Sequence, residues 1–244
     1  MDNLYIVIPA YNEEETIETV VREWYQIVER TGGESRLVVI DDGSKDSTGL
    51  KLRELAKEMP RLEACTKTNG GHGPAVLYGY EYALKHGADY IFQTDSDGQT
   101  LPEEFDGFWK KRKEYDAVIG HRKGRQDGGS RVFVTKVLKL VLWMIFGVWV
   151  TDANTPYRLM TREILERHMT RMPEQFNLPN VLLTVSFLKE NEKVLFLPVT
   201  FRPRQGGKNS INLPKITRIG FQAIKDFRQI KAGFDKNSFK EEKL

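Results

Sequence analysis

Short apolar stretches alternate with helix-like stretches through the first hundred residues, and this pattern restricts the possible folds more than any other feature. The apolar stretches read LYIVIPA, SRLVVIDDGS, LEACTKT and DYIFQTD. Continuous apolar strands that alternate with helices are typical of a parallel sheet whose two faces are both covered. We therefore expect an α/β fold with a mostly parallel sheet and helices on both faces.

The stretches between the strands carry helix start and stop signals. We predict helices over residues 12–30, 46–59 and 73–87. Asn12 or a neighbour is expected to cap the first helix, which has acids in its first turn. Pro60 ends the second helix and Gly87 ends the third. Residues 4–87 thus contain three consecutive strand–helix units.

Polar and glycine residues follow each predicted strand. The four groups are residues 9–13, 41–44, 69–73 and 95–99. Each group alone is also consistent with a turn or a helix cap. In open α/β sheets, however, ligands bind outside the carboxyl ends of the strands. Four such groups on one sheet edge therefore predict a single shared site.

Two aspartates, Asp95 and Asp97, stand one residue apart where the strand DYIFQTD ends. Alternate residues of an extended chain share a face, so the two carboxylates are expected to point the same way. Hard cations such as Mg²⁺ and Mn²⁺ prefer oxygen ligands and leave positions for substrate phosphates. We predict that this pair holds a divalent metal that bridges a diphosphate.

Four motifs together resemble family 2 glycosyltransferases of the GT-A fold. They read IVIPAYNEEETI, VVIDDGSKDST, NGGHGPAVLYGYEYA and TDSDGQTLPEE, and the resemblance covers about residues 4–160. Within that family the chain is most similar to the polyprenyl-phosphate glycosyltransferases, which include dolichyl-phosphate mannosyltransferase. The glycine-rich NGGHGPA matches neither the dinucleotide fingerprint nor the Walker motif.

The resemblance implies roles for individual residues. It implies a nucleotide-sugar pocket formed by Pro9, Ala10, Tyr11, Glu13, Asp41, Asp42, Gly71, His72, Asp95 and Ser96. It also implies that Mg²⁺ or Mn²⁺ is bound by Asp95 and Asp97, with Gln99 as a possible third ligand. Tyr11 would lie against the base or ribose of the donor.

The acceptor class determines which further residues are needed. A sugar hydroxyl needs a general base, whereas a phosphate monoester has a second pKa of about 6 and is already largely dianionic. A phosphate needs cations that position it. The resemblance assigns acceptor or phosphate binding to Arg122, Arg131, Arg202, Arg204, Lys208 and Ser210. The loop around Lys208 departs from the family pattern, and any of these cations is alternatively a surface charge.

Asp152, in the segment TDANTPYRLMTRE, is a further candidate for catalysis. It would act as a base or as an acid that organises the phosphate. Alternatively, it caps a helix opened by Pro156. The catalytic residues we predict are Asp97, Asp152, Arg122 and Arg131.

The net charge of +3 conceals two basic stretches. Residues 122–144 contain six Lys or Arg against one acid, and residues 202–244 contain eleven against four. Such stretches attract phosphates or anionic surfaces, although a solvated face is the alternative. Residues 132–150 are nearly apolar but include two lysines, which favours an interfacial helix over a transmembrane span. Residues 215–233 show a similar amphipathic pattern, which alternatively packs on the protein's own core.

These observations predict a domain over residues 1–210 and a basic amphipathic helix with a polar tail over residues 211–244. The single cysteine, Cys65, excludes a disulfide framework, and the first ten residues do not resemble a signal peptide. We expect a cytoplasmic protein attached peripherally to the anionic inner face of the cell membrane, with a homo-oligomer as a further possibility for the apolar helix.

The predicted activity is a metal-dependent inverting transfer of a hexose from a UDP- or GDP-sugar to a polyprenyl phosphate. A soluble family 2 enzyme with a saccharide or other hydroxyl acceptor is the first alternative. A non-catalytic protein that binds nucleotide sugars or lipid phosphates is the second. We do not expect nucleic-acid binding, because aliphatic residues rather than base-stacking aromatics accompany the basic residues.

Overall fold

The structure is a computed structural model of the 244-residue chain. It describes residues 2–122, 129–173, 176–203 and 226–227, with side chains described only from residue 137 onwards in the helix that begins at residue 129. The strands are β1 Leu4–Ala10, β2 Arg36–Asp41, β3 Leu62–Thr66, β4 Tyr90–Thr94, β5 Ala117–Arg122, β6 Tyr157–Thr161 and β7 Val194–Val199. The helices are α1 Ile17–Thr31, α2 Thr48–Glu58, α3 His72–Lys85, α4 Phe105–Lys111, α5 Gly129–Phe146, α6 Arg162–Met169 and α7 Pro179–Lys189, and a 3-10 turn over Pro102–Glu104 precedes α4.

The strands form one seven-stranded sheet in the order β3-β2-β1-β4-β6-β5-β7. Strands β1, β2, β3 and β4 are parallel, and β5 is parallel to β7. Among the seven described strands, only β6 runs antiparallel, between β4 and β5. The expectation of a mostly parallel sheet is therefore confirmed.

Two hydrophobic cores cover the two faces of the sheet. On one face, α1, α2 and α4 pack on side chains such as Ile6 and Phe92, and the Trp24 ring lies 5.3 Å from the Phe92 ring. On the other face, α3, α5, α6 and α7 pack on side chains such as Val7. Helix α3 approaches β1 so closely that a Cβ at Gly79 would lie 2.3 Å from Val7. Helices on both faces are thus confirmed.

Helix α1 begins at Ile17, five residues later than predicted. Asn12 does not cap it but has a left-handed φ of 54°. Its backbone N–H donates to Ser44, and its side-chain oxygen accepts from the backbone of Lys45. Residues 11–16 form a loop against the β2 turn because these hydrogen bonds compete with helix formation.

Pro156 precedes the strand β6, so the interpretation of Asp152 as the cap of a helix opened by Pro156 is wrong. The register pairs Thr94 of β4 with Tyr157 at the start of β6. Because β6 runs against β4, the residues before β6 lie at the edge where the parallel strands end. This reversal brings Asp152 to the predicted site.

Several predicted features lie outside the described residues. They are the side chain of Arg131, the residues Arg204, Lys208 and Ser210, and nearly all of the segment 211–244. Of that segment, Phe227 is described, and its ring lies 5.7 Å from Phe146 and 6.0 Å from Phe176. Within the described ranges, no helix combines the length and hydropathy that a transmembrane span requires.

Candidate active site

Hydrogen bonds join the loops that follow β1, β2 and β4 into one surface. The backbone N–H of Asp42 donates to the carbonyl of Ala10 over 2.9 Å. The hydroxyl of Thr16 donates to the carbonyl of Ser96 over 3.1 Å. The strand ends that the sequence places side by side therefore form a connected edge.

The β1 loop presents one aromatic ring and one buried acid. The side chain of Tyr11 is 40% exposed, although it follows the fully buried strand β1. Glu13 is buried, its carboxylate accepts a hydrogen bond from Thr16 over 3.2 Å, and its backbone N–H donates to Thr48. Tyr11 is thus available for stacking, whereas Glu13 fixes the loop. Pro9 and Ala10 lie buried in β1 itself.

Asp41, at the end of β2, is buried beneath its own turn. Its carboxylate accepts from the backbone N–H of Ser44 at 2.9 Å and from the Thr66 hydroxyl at 3.4 Å. A Cβ at position 49 would lie 2.7 Å from this carboxylate, so the glycine there permits the close approach of α2. The first turn of α2 therefore packs directly against the Asp41 carboxylate.

Asp42 organises the glycine-rich loop. Its carboxylate accepts from Lys67 at 2.7 Å and from the backbone N–H groups of Gly70 and Gly71 at 2.9 and 2.7 Å. Gly71 has a left-handed φ of 92°, which a residue with a side chain rarely adopts. Asp42 therefore shapes the loop that leads to α3.

His72, the first residue of α3, lies against the β4 loop. Its Nε2 is 3.1 Å from Oδ1 of Asp95. Desolvation lowers the pKa of this imidazole, but the charge and hydrogen bond of Asp95, with further charge from Asp97 and Asp42, outweigh that effect and raise the pKa overall. The side chain stays half exposed and places a basic group beside the carboxylates.

The three predicted metal ligands alternate with buried residues. Asp95, Asp97 and Gln99 are partly exposed, whereas the intervening residues are buried. The backbone N–H of Gln99 donates to Asp97 over 3.1 Å, which holds the turn. Two carboxylates and an amide oxygen on one accessible loop fit Mg²⁺ or Mn²⁺, because both ions prefer oxygen donors.

Arg202, which follows β7, holds this loop through hydrogen bonds to Gly98 and Gln99. Its guanidinium donates to the carbonyl of Gly98 at 2.6 Å and to Glu23 at 2.8 Å, and its backbone carbonyl accepts from the Gln99 amide. These intramolecular contacts make it a support of the loop. Its predicted contact with a substrate phosphate stays a prediction.

Arg122, at the end of β5, reaches the same edge. Its guanidinium lies 4.7 Å above the ring of Phe201, and Phe201 forms a bridge with Thr100 in the β4 loop. Within the described part of the chain, the Arg122 Nε is buried and has no hydrogen-bond partner. A cation with unused donor capacity therefore stands beside the metal loop.

Asp152 is buried at the same edge, and its carboxylate lies 3.4 Å from the backbone nitrogen of Asn154. The loop that follows it is held from below by Arg158, whose guanidinium donates to the carbonyls of Ala153 and Thr155. The antiparallel course of β6 thus brings Asp152 to the same edge of the sheet as the β4 loop.

Sequence reasoning missed a set of supporting residues behind this edge. They are Lys67, Gln93, Arg158 and Asn180. Gln93 and Arg158 did leave a signal, because each is a polar residue inside an otherwise apolar strand (YIFQT and YRLMT). Buried polar groups are hydrogen-bonded, so such a residue marks a network.

The model of the family described as Glycosyl transferase family 2 matches residues 5–169. This range includes every loop of the connected edge up to Asp152 and β6. It excludes the residues from Thr170 onwards, which contribute Asn180 and Arg202.

Two curated relatives span most of this chain. Polyprenol monophosphomannose synthase of Mycolicibacterium smegmatis is 27% identical over 89% of this chain and 84% of its own length. Undecaprenyl-phosphate 4-deoxy-4-formamido-L-arabinose transferase of Pseudomonas fluorescens is 26% identical over 90% of this chain. The chain spans only 63% of the length of that second relative.

A solved structure shares the fold. It is glucosyl-3-phosphoglycerate synthase from Mycobacterium tuberculosis in complex with Mn²⁺ and uridine-diphosphate-glucose. The TM-score is 0.68 at 19% identity, with 95% of this chain and 79% of that chain covered.

Proposed function

The chain belongs to glycosyl transferase family 2, and from that premise we propose that it transfers a hexose from a UDP- or GDP-sugar to a polyprenyl phosphate. One observation carries the proposal. The hydrogen-bonded edge combines an exposed Tyr11 ring, the acidic Asp95 and Asp97 loop, and Arg122 with unused donor capacity. An aromatic base contact, a diphosphate site and a phosphate-binding cation are the parts this reaction needs.

The comparisons support the acceptor and the metal in this proposal. The two curated relatives are named for polyprenol and undecaprenyl-phosphate substrates. The structural neighbour is described with Mn²⁺ and a UDP-sugar. These relatives confirm that the chain resembles the polyprenyl-phosphate branch. The sugar, the nucleotide and the acceptor of this chain are our proposals.

Donor binding uses the first half of the edge. Tyr11 stacks on the base or ribose, and the Asp41 turn closes the pocket from the side of β2. Asp95, Asp97 and Gln99 would hold Mg²⁺ or Mn²⁺, which offsets the charge of the leaving diphosphate. The His72 imidazole lies beside Asp95 on the side of α3.

The transfer itself needs no general base from the protein. A polyprenyl phosphate oxygen attacks the anomeric carbon of the sugar while the bond from that carbon to the nucleoside diphosphate breaks. Attack and departure on opposite faces invert the anomeric centre. Because the phosphate is already ionised at neutral pH, the residues need only orient it. We assign that task to Arg122, with Arg131 and the basic loop 204–210 as further contributors.

The alternative reaction, transfer to a hydroxyl, is favoured by one observation. Asp152 is a buried acid at this edge, and a hydroxyl acceptor requires such a group as its base. In the phosphate reaction, Asp152 instead organises the loop before β6. Its substitution separates the two reactions, because only the hydroxyl reaction loses its proton acceptor.

The exposed face of α5 supports attachment to a membrane surface. Its exposed apolar residues are Val137, Leu140, Trp143, Met144 and, just beyond the helix, Trp149. Two residues separate Trp149 from Asp152, so this face adjoins the site. Exposed aromatic and aliphatic side chains of this kind are typical of interfacial helices. We propose peripheral docking on the anionic inner face of the cell membrane, with the lipid chain of the acceptor beside this face.

A transfer assay tests the proposal. Purified protein with Mn²⁺ would be incubated with UDP- and GDP-sugars, with and without a short polyprenyl phosphate. Sugar on the lipid from a single donor is the expected result. Donor hydrolysis at the same rate with and without polyprenyl phosphate would contradict a phosphate acceptor and favour the hydroxyl reaction.

A further inference from the structure

Three buried side chains form a hydrogen-bonded series that ends on Asp95. The Tyr80 hydroxyl donates to Oδ1 of Asn180 over 3.3 Å, Nδ2 of Asn180 donates to Oε1 of Gln93 over 2.9 Å, and Nε2 of Gln93 donates to Oδ1 of Asp95 over 3.2 Å. Tyr80 and Gln93 are fully buried, and Asn180 is 1% exposed. We call Tyr80, Asn180 and Gln93 the buried network.

The carboxylate of Asp95 fixes the direction of every hydrogen bond in the buried network. A carboxylate only accepts, so Gln93 must turn its amide N–H towards Asp95. Its carbonyl oxygen then faces Asn180, which must donate. The carbonyl oxygen of Asn180 is left to accept from the Tyr80 hydroxyl. Each donor in the series is thereby matched to one acceptor, as a low-dielectric interior demands.

Packed elements hold the buried network in place. Tyr80 lies on α3, Gln93 on β4 and Asn180 in the first turn of α7, and the residues of α7 from Pro179 to Phe187 are all buried. Arg158, the partner of Gln93 in the β4–β6 register, donates to the backbone carbonyl of Asn180 over 3.0 Å. The amide that reaches Asp95 therefore has little freedom to move.

We infer that the buried network is a positioning device that orients the Asp95 carboxylate for metal binding. Oδ1 accepts from Gln93 on the inside and lies against His72 on the outside, whereas Oδ2 accepts no hydrogen bond from the described part of the chain. One oxygen is thus anchored and the other is presented to the site. The inference rests on the proposed function only in taking Asp95 as a metal ligand.

Two substitutions test this role by the affinity for Mn²⁺ alone, measured by calorimetric titration of the full chain. Gln93→Met removes the hydrogen bond to Asp95 at similar side-chain volume. Asn180→Asp is an isosteric substitution at a residue that does not contact Asp95. The new carboxylate cannot donate the hydrogen bond that Asn180 gives to Gln93. Loss of a residue that orients a metal ligand typically weakens metal binding about 10- to 100-fold, and we expect that range for both variants.

Thr184→Val is the matched control. Thr184 lies one turn after Asn180 on α7 and donates to the carbonyl oxygens of Asn180 and Ala153, but it is not part of the buried network. We expect it to lower the melting temperature as the other two variants do, while Mn²⁺ affinity stays at the wild-type value. A melting-temperature loss in all three variants with unchanged Mn²⁺ affinity would overturn the inference.

The transfer assay distinguishes this inference from the proposed function. Weakened Mn²⁺ binding in Gln93→Met and Asn180→Asp, together with sugar transfer by the wild type, supports both. The same weakening without any sugar transfer supports the inference and overturns the proposed function. A wild-type chain that binds no Mn²⁺ at millimolar concentration overturns both.

Discussion

At the scale of single residues, the site depends on which carboxylates are exposed and which are used for support. Asp41 is buried and accepts from its own turn, and Asp42 is buried and accepts from the glycine-rich loop before α3, whereas Asp95 and Asp97 are partly exposed. The same residue type therefore serves two purposes on one edge. Only the environment of each side chain, which the sequence does not state, separates them.

We predict that Asp97→Asn lowers donor turnover by at least about 100-fold, because it removes a charged ligand from the proposed metal site, where the metal would stabilise the leaving diphosphate. Folding should be unaffected, since Asp97 is partly exposed. Turnover of the UDP- or GDP-sugar at saturating Mn²⁺ is the measurement. Asp106→Asn, on the exposed surface of α4, is the matched control. Wild-type turnover in Asp97→Asn would remove Asp97 from the metal site.

Arg158 is expected to matter for stability more than for binding. It is fully buried and donates only to backbone and hydroxyl oxygens of residues 153, 155, 180 and 184 among the described contacts. Arg158→Met leaves several of these acceptors unpaired, at a cost of about 3 kcal/mol or more. Denaturant unfolding would measure the loss. A change below about 1 kcal/mol would show that water replaces the guanidinium.

At the scale of helices and strands, the sequence predicted what hydrophobic periodicity encodes. Strands β1, β2 and β4 were predicted to within a few residues because their apolar runs end in turn residues. The start of α1 was not, because Asn12 and Glu13 favour a helix locally but bond to the β2 turn instead. The alternative role of Asp152 as a helix cap was wrong for the same reason, since the antiparallel course of β6 is a tertiary property.

The exposed face of α5 gives a prediction at this scale. Trp143→Ser with Met144→Ser should reduce flotation with anionic vesicles about tenfold, because two large apolar side chains leave the interface. Leu50→Ser, which removes an exposed apolar residue from α2, is the control and should not change flotation. Binding that weakens equally in both variants would place the docking surface elsewhere.

At the scale of the whole molecule, a cluster of charged side chains around His168 lies outside the candidate site. We call this cluster the charged junction. His168 on α6 is almost fully buried, and Glu190, Glu192, Arg167 and Arg171 surround it between α7 and β7. Burial lowers the pKa of His168, the hydrogen bond and charge of Glu192 oppose this, and the two arginines reinforce it, so the pKa is lowered overall. The fold therefore favours the neutral imidazole.

This junction predicts how global stability depends on pH. The unfolded chain protonates His168 near pH 6.5, while the folded chain does so only at lower pH, so the unfolded state binds more protons as the pH falls. Stability from this group is complete above about pH 6.5 and is lost as the pH falls towards the folded pKa, with a slope of at most about 1.4 kcal/mol per pH unit. We predict that His168→Gln flattens the pH dependence of the unfolding free energy below about pH 6.5. His86→Gln, which removes an exposed imidazole, serves as the control. If His168→Gln kept the wild-type slope, the acid sensitivity would come from carboxylates elsewhere in the fold. Asp2 is one such group: burial raises its pKa, but hydrogen bonds from Arg112 and Lys113 outweigh that effect and lower the pKa overall.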